Sequence, residues 1–188
     1  IEMTANLFIV SAPSGAGKTT LVKALLKRFD DMVYSISHTT RPPRQGEVDG
    51  KDYFFTDKAQ FMEMAESGQM LEWAHVHGNC YGTARPFIQE RLAAGHSVLL
   101  DIDVQGGRQI MDSGLKPVSI FIMPPSLEIL EQRLRGRGTG TETVIRKRLD
   151  NAKAEIAQRS FYDHVVVNDV LDEAVAELIA IVEQETGN

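Results

Sequence analysis

Ala12-Pro13-Ser14-Gly15-Ala16-Gly17-Lys18-Thr19-Thr20 decides how the rest of this chain is read. An apolar run, Leu7-Phe8-Ile9-Val10, precedes it, and Leu21-Val22, Leu25-Leu26 and Phe29 follow at helical spacing. Strand, glycine-rich turn and helix are the setting a phosphate-binding P-loop requires, with the pattern G-x-x-x-x-G-K-[ST]. Gly17-Lys18-Thr19 supplies the last three letters, and Ala12 stands in for the first glycine. That exchange is tolerable if Ala12 keeps a negative φ, because Gly15 and Gly17 provide the permissive backbone. Ser14, Gly15, Ala16, Gly17, Lys18, Thr19 and Thr20 then wrap an anion at a helix start, where the dipole also favours negative charge. Lys18 would reach the β- and γ-phosphates of a nucleoside triphosphate, and Thr19 would offer its hydroxyl to Mg²⁺. The blander reading is a glycine-rich turn with an exposed lysine; the flanking strand and helix argue against it.

Further along, Val33 to Ser37 reads as a short strand, and Pro42, Pro43, Gly46 and Gly50 make the following segment an irregular loop. Arg41 and Arg44 lie three apart on it. Two guanidiniums on a stiffened loop can clamp a phosphate, although exposed arginines more commonly meet only solvent. Tyr53-Phe54-Phe55 is β-prone, and Asp57 with Gln60 forms a capping-box signature for a helix closed by Gly68. Met70 to Thr83 reads as a strand that turns at Gly78-Asn79, with Thr83 also standing at the N-cap of a helix ending at Gly95. His75 and His77 share a strand face without a plausibly spaced third ligand, so zinc is rejected.

Ser97 to Asp103 is an apolar strand that ends in two carboxylates, and such continuous runs suit a parallel strand buried on both faces. An aspartate at that end is the usual magnesium partner of a P-loop, which favours this role for at least one of Asp101 and Asp103. The alternative is a cap on the next helix. Val118 to Met123 is another buried strand, and Ser126 caps a helix through Leu134. Between Arg133 and Arg148 six basic residues face one acid, Glu142, around a glycine-rich middle, Gly136 to Thr141. In an acidic chain such a cluster reads as a lid over phosphates. A helix over Thr143–Ser160, a strand over His164–Asn168 and an amphipathic helix over Val170–Gln184 close the chain.

The alternation predicts an α/β fold with a central parallel sheet flanked by helices and ligands at the carboxyl ends of its strands. Residues 37–95 interrupt it as an inserted lobe and 133–149 as a lid, leaving 1–36, 96–132 and 150–188 as the core. A length of 188 residues fits one such unit, and the net charge of −6 argues against nucleic acid as a partner. No run has the length of a membrane span, the first residues lack a secretion-signal pattern, and Ile1-Glu2-Met3 is set aside as an unusual start. The single cysteine, Cys80, fits a reducing compartment, so a cytoplasmic protein is expected; homo-oligomer formation is left open.

Taken in order, these motifs resemble those of guanylate kinases: 11–20, Ser37-His-Thr-Thr-Arg-Pro-Pro-Arg44 to Glu47, Gly50 to Phe55, Glu72-Trp-Ala74, Gly78 to Thr83, Leu100-Asp-Ile-Asp-Val-Gln-Gly106, Arg133 to Gly138 and Val167-Asn-Asp169. The resemblance spans nearly the whole chain and implies the P-loop NTPase fold with a GMP-binding lobe. It further implies transfer of the γ-phosphate of ATP to GMP with Mg²⁺, giving ADP and GDP. By position, Arg41, Arg44, Tyr53 and Tyr81 would hold the GMP phosphate, and Ser37, Glu72 and Thr83 would read guanine. Asp101 and Asp103 would serve GMP and magnesium, their division left open. Arg133, Arg137 and Arg148 match lid arginines that act with Lys18 and Arg41 in catalysis, and Asn168 a position close to adenine. The chemistry agrees, since a carboxylate can accept together from guanine N1–H and N2–H₂, whereas adenine has no N1–H. In this reading the hydroxyls of Ser37 and Thr83 donate on the O6 side. Two rivals are a P-loop kinase with another acceptor, such as a ribosyl bisphosphate, and a guanylate-kinase-like module that holds a phosphopeptide. The guanine-reading set speaks against the first, the intact P-loop and lid arginines against the second.

Overall fold

In the computed structural model, residues 5–136, 138 and 140–187 are described; Arg137, one of the expected lid arginines, lies outside them. The first half of the chain runs β1 (Leu7–Ser11), α1 (Lys18–Arg28), β2 (Val33–Tyr34), β3 (His38–Thr39), β4 (Phe54–Phe55), α2 (Lys58–Glu66), β5 (Met70–Val76) and β6 (Asn79–Ala84). The second half runs α3 (Arg85–Ala93), β7 (Val98–Asp101), α4 (Val104–Met111), β8 (Val118–Met123), α5 (Leu127–Gly136), α6 (Glu142–Ala157), β9 (His164–Val167) and α7 (Leu171–Thr186). A 3₁₀ turn, Gln158–Phe161, lies between α6 and β9.

The main sheet is parallel, in the order β2-β7-β1-β8-β9. All five residues of β1 are buried because each face of the strand meets its own core. Phe8 and Val10 pack with Leu21, Leu25, Leu178 and Val182 from α1 and α7. Leu7 and Ile9, one residue out of phase, pack with Ile88 and Ile110 from α3 and α4. A period of two, both halves apolar, is why the run shows no polar alternation. Burial on both sides places the β1 carboxyl end, and the loop that follows it, on a rigid support. Among the described residues, no helix is long and apolar enough to cross a membrane.

A second sheet, β4-β3-β6-β5, forms from residues between β2 and α3. Its α2 side is packed by Phe61, Met70 and Cys80, with Met62, Met64 and Trp73 against them, so the methionines there fill space. Several local expectations shift. The proline-rich segment holds β3, whose Thr39 Oγ1 donates to the Cys80 carbonyl and fastens the loop to β6. The β5–β6 turn is His77-Gly78, both at positive φ (49° and 81°), one residue earlier than the Gly-Asn pair suggests. His77 is therefore a turn residue and not on the strand face with His75. Asp57 accepts from Gln60 N–H, but the Gln60 side chain is held by Thr56, so only half of the capping box forms. The N-cap of α3 is Ala84, not Thr83, whose hydroxyl has another partner described below.

The P-loop rests on α5: a Cβ added at Gly15 would lie 3.0 Å from Leu130 Cδ1 and 3.3 Å from Leu134 Cδ2. Leu130 is fully buried there. Leu130→Ala should cost about 2–5 kcal/mol of stability in urea denaturation. It should also speed hydrogen exchange at Gly15 to Gly17 more than in β1; equal protection of both segments would contradict this support.

Candidate active site

The P-loop closes with Gly15 and Gly17 at φ of +91° and +87°, while Ala12 is not among the positive-φ residues, so its methyl group costs nothing. Gly17 is the N-cap of α1, which makes no side-chain cap and has no acidic residue in its first turn. Helix N–H groups left without a protein partner, at the positive end of the dipole, are suited to an anion. Ala16 contributes differently from its neighbours: its N–H donates to the Pro13 carbonyl at 3.2 Å and its methyl is buried. Residues 12–20 line a hollow of about 360 Å³.

Asn168, at the end of β9, sits beneath this hollow. Its Nδ2 donates to the Ala16 carbonyl at 2.9 Å, and the residue is 6 % exposed. A Cβ at Gly17 would lie 2.4 Å from that nitrogen, so glycine is required by closeness as well as by φ. Arg133 Nη2 in turn donates to the Asn168 carbonyl at 3.1 Å. Asn168 is thus a tether for the loop, a role its match to an adenine-adjacent position did not reveal.

Lys18 Nζ is ion-paired with Asp101, both side chains about one-fifth exposed. β7 ends at Asp101, so the second carboxylate lies beyond the strand. Asp103 is the N-cap of α4 and accepts from Gly106 N–H at 2.8 Å, the alternative weighed for it above. Both Asp101 and Asp103 still offer hard oxygen donors, and Thr19, on the first turn of α1, is exposed.

On the second sheet, Thr83 Oγ1 donates to Glu72 Oε1 at 2.7 Å. One hydroxyl carries one proton, so Thr83 here orients Glu72 and does not donate elsewhere. The other oxygen, Oε2, lies over the start of α4, 3.2 Å from where a Cβ at Gly106 would be. Burial pushes the Glu72 carboxyl above its usual range, Asp103 adds to the rise, and the Thr83 hydrogen bond opposes it. Ser37 is half-buried, its carbonyl accepting from Phe54 N–H.

Arg41, Tyr53 and Tyr81 come together as a group. The Arg41 guanidinium lies 5.3 Å from the Tyr53 ring centre and 6.0 Å from that of Phe55, and the two tyrosine rings meet edge-on at 6.2 Å. Glu47, given no role from sequence, holds it: Arg41 Nη2 reaches Glu47 Oε1 at 2.8 Å, and Arg44 N–H donates to Oε2 at 2.7 Å. The Arg41 bond, then the Arg44 N–H, keep the Glu47 carboxyl below its usual range. The Arg44 side chain is exposed. Glu47 lies six positions after Arg41, and the opposite charges across the proline pair were the available signal.

The basic cluster divides by partner. Arg135 bridges Glu131 and Glu142, at 2.6 and 2.7 Å, joining α5 to the start of α6, and Arg146 reaches Glu142 at 3.4 Å. Arg135 is the main cause holding the Glu142 carboxyl down to about 2. Arg133 lies beside Asn168, and Arg148 is half-buried on α6.

Glu72 carries a sign that stability measurements can read. A carboxyl whose proton affinity is raised in the folded state is most stabilising when protonated; stability declines as pH rises through the folded value. At neutral pH the buried charge therefore opposes folding. Glu72→Gln should melt higher than the unaltered chain at pH 7, with the difference vanishing as pH falls below the ordinary carboxylate range. A lower melting temperature for Glu72→Gln at pH 7 would contradict the burial.

Residues 4–185 match the family model for guanylate kinase. The chain is 53 % identical over 177 residues to the guanylate kinase of Chromobacterium violaceum, covering 94 % of this chain and 84 % of that one. With the guanylate kinase of Geobacter sulfurreducens it shares 47 % identity, covering 94 % and 87 %. The crystal structure of guanylate kinase from Anaplasma phagocytophilum superposes with a TM-score of 0.73 at 34 % identity, covering all of this chain and 89 % of that one. A gluconokinase from Sinorhizobium meliloti, at 15 % identity and a TM-score of 0.51, shares the fold alone. The glycine loop at the start of α1 and the Glu72 carboxylate both sit within a match that runs almost end to end: this chain belongs to the guanylate kinase family.

Proposed function

We propose that the chain transfers the γ-phosphoryl group of ATP to the phosphate of GMP, as a cytoplasmic, magnesium-dependent ATP:GMP phosphotransferase. One observation carries the reading: the segment 101–106 touches both halves of the site. Its first residue pairs with Lys18 of the phosphate cradle, and its last underlies Glu72 of the base-reading pair. A donor phosphate chain and an acceptor nucleotide would therefore be aligned by one short stretch of backbone at the carboxyl end of β7, an interior strand of the main sheet.

In this reading the α1 N-terminus and Lys18 hold the ATP phosphates, and Lys18 leaves Asp101 for them. Glu72 accepts from guanine N1–H and N2–H₂, held in place by Thr83, and Ser37 serves the O6 side. Arg41, preset by Glu47 against Tyr53 and Tyr81, takes the GMP phosphate with Arg44. Arg133 and Arg148 approach the transferring group from the lid, 133–149, as the lobe, 37–95, closes; Arg137 belongs to the same expectation. Asn168 acts through the loop backbone. Thr19, Asp101 and Asp103 would hold Mg²⁺, a fit supported by their hard oxygen donors. Magnesium commonly takes one or two carboxylates together with substrate phosphates, so the ATP phosphates would supply the remaining ligands. When bound, the ion offsets the charge that builds up on the phosphoryl oxygens. The acceptor phosphate is already anionic, so no general base is invoked, and catalysis is positioning plus charge neutralisation.

A coupled ADP-release assay with GMP, AMP, UMP and CMP tests the acceptor. GMP should be strongly preferred, and Glu72→Ala should raise the GMP KM and erode the preference; undiminished GMP-over-AMP discrimination in that variant would sink the base-reading role. Lys18→Ala should lower kcat by about 10²–10³-fold or more. GMP affinity measured by calorimetry should stay close to that of the unaltered chain, and a comparable loss there would show that Lys18 serves the acceptor side.

A further inference from the structure

Two hollows meet at Glu155 of α6. The phosphate cradle is walled by residues 12–20 and, among the described residues, by Glu155 alone from elsewhere in the chain. The second hollow, of about 650 Å³ between α4 and α6, is lined by Glu155 together with Asp103, Arg108, Asn151 and Gln158. Each hollow has its own cation. Lys18 belongs to the first. Arg108 belongs to the second, its guanidinium 3.8 Å from the centre of the Phe161 ring. The Glu155 carboxylate is half-buried; burial and Asp103 raise its proton affinity, Lys18 lowers it, and no hydrogen bond contributes. Nearby, the Tyr162 hydroxyl is buried and lies within the influence of Asp103, Arg108 and Glu155, with the Ser11 hydroxyl as its neighbour over Gly107.

A carboxylate on the wall of a triphosphate cradle repels the ligand that belongs there. It need not leave the protein to get out of the way, because the hollow on its other side carries the Arg108 guanidinium. We propose that Glu155 is a two-position carboxylate, closing the cradle on the Lys18 side and turning to Arg108 when a triphosphate enters. Glu155 is then a positioning residue: it sets how tightly the cradle holds phosphate and reports occupancy to the hollow between α4 and α6. The inference rests on residues 12–20 being the ATP phosphate site.

Calorimetric titration with ATP in EDTA, without divalent cations, reads the repulsion directly. Glu155→Gln should bind ATP more tightly, on the order of threefold to tenfold, and Glu155→Asp, which keeps the charge, should stay near the unaltered chain. Arg108→Gln should weaken ATP binding in the unaltered background and have no effect in the Glu155→Gln background. A purely structural role for Glu155 predicts no tightening on losing the charge. Unchanged or weaker binding by Glu155→Gln, or additive effects of the two substitutions, would overturn the switch. If Arg108→Gln does not fold, the Gln-against-Asp comparison at position 155 decides alone. No ATP binding by the unaltered chain would instead overturn the phosphate reading beneath it.

Discussion

The hydrogen bond from Asn168 to the Ala16 carbonyl is the contact on which the site depends. It joins the end of β9 to a loop made 152 residues earlier, through space that any side chain at Gly17 would fill. With the loop fixed from below, and from the side by Leu130 and Leu134, the first turn of α1 keeps its N–H groups facing outward instead of folding them into a protein cap. Backbone amides fixed in this way pay no reorganisation when an anion arrives, which is why they are effective at developing charge.

The same logic governs the charged side chains. The chain carries a net charge of −6, yet its proposed ligands are highly anionic. Cations are not massed into a general basic surface. Lys18 is held by Asp101, Arg41 by Glu47, and Arg135 by Glu131 and Glu142. Each carboxylate fixes where its cation points. The exposed pairs around Arg135 add little to stability; their effect is to tie α5 to the start of α6. Glu72 is the reverse case, a partly buried carboxylate held by a hydroxyl and not by a cation.

Much of this was legible in the sequence. Strands buried on both faces announced themselves as unbroken apolar runs, and the P-loop letters, with their flanking elements, located the glycine loop between β1 and α1. The misplacements have separate physical causes. β3 hides in a proline-rich segment because two residues suffice when Thr39 can also bond across to Cys80. Thr83 looks like a helix cap, but its hydroxyl meets Glu72 across the β5–β6 pair, a partner that no local pattern reveals. Asp103 forms the cap on α4, one of the two readings open to it, because the strand ends two residues before it. Glu155 was invisible for a stronger reason: on an otherwise ordinary helix, only its place on the wall of the P-loop hollow gives it meaning. The arginine cluster could be counted from sequence, but which arginines are tied to carboxylates could not.

The central claim is that a phosphoryl group passes from the cradle on α1 to a guanine nucleotide selected by Glu72. Incubation with γ-³²P-labelled ATP and Mg²⁺, in the presence of GMP or AMP in turn, follows that group itself. The account predicts label in GDP, none in a diphosphate formed from AMP, and little release as inorganic phosphate while GMP is present. Label found mainly in inorganic phosphate, or transferred as readily to AMP, would contradict it.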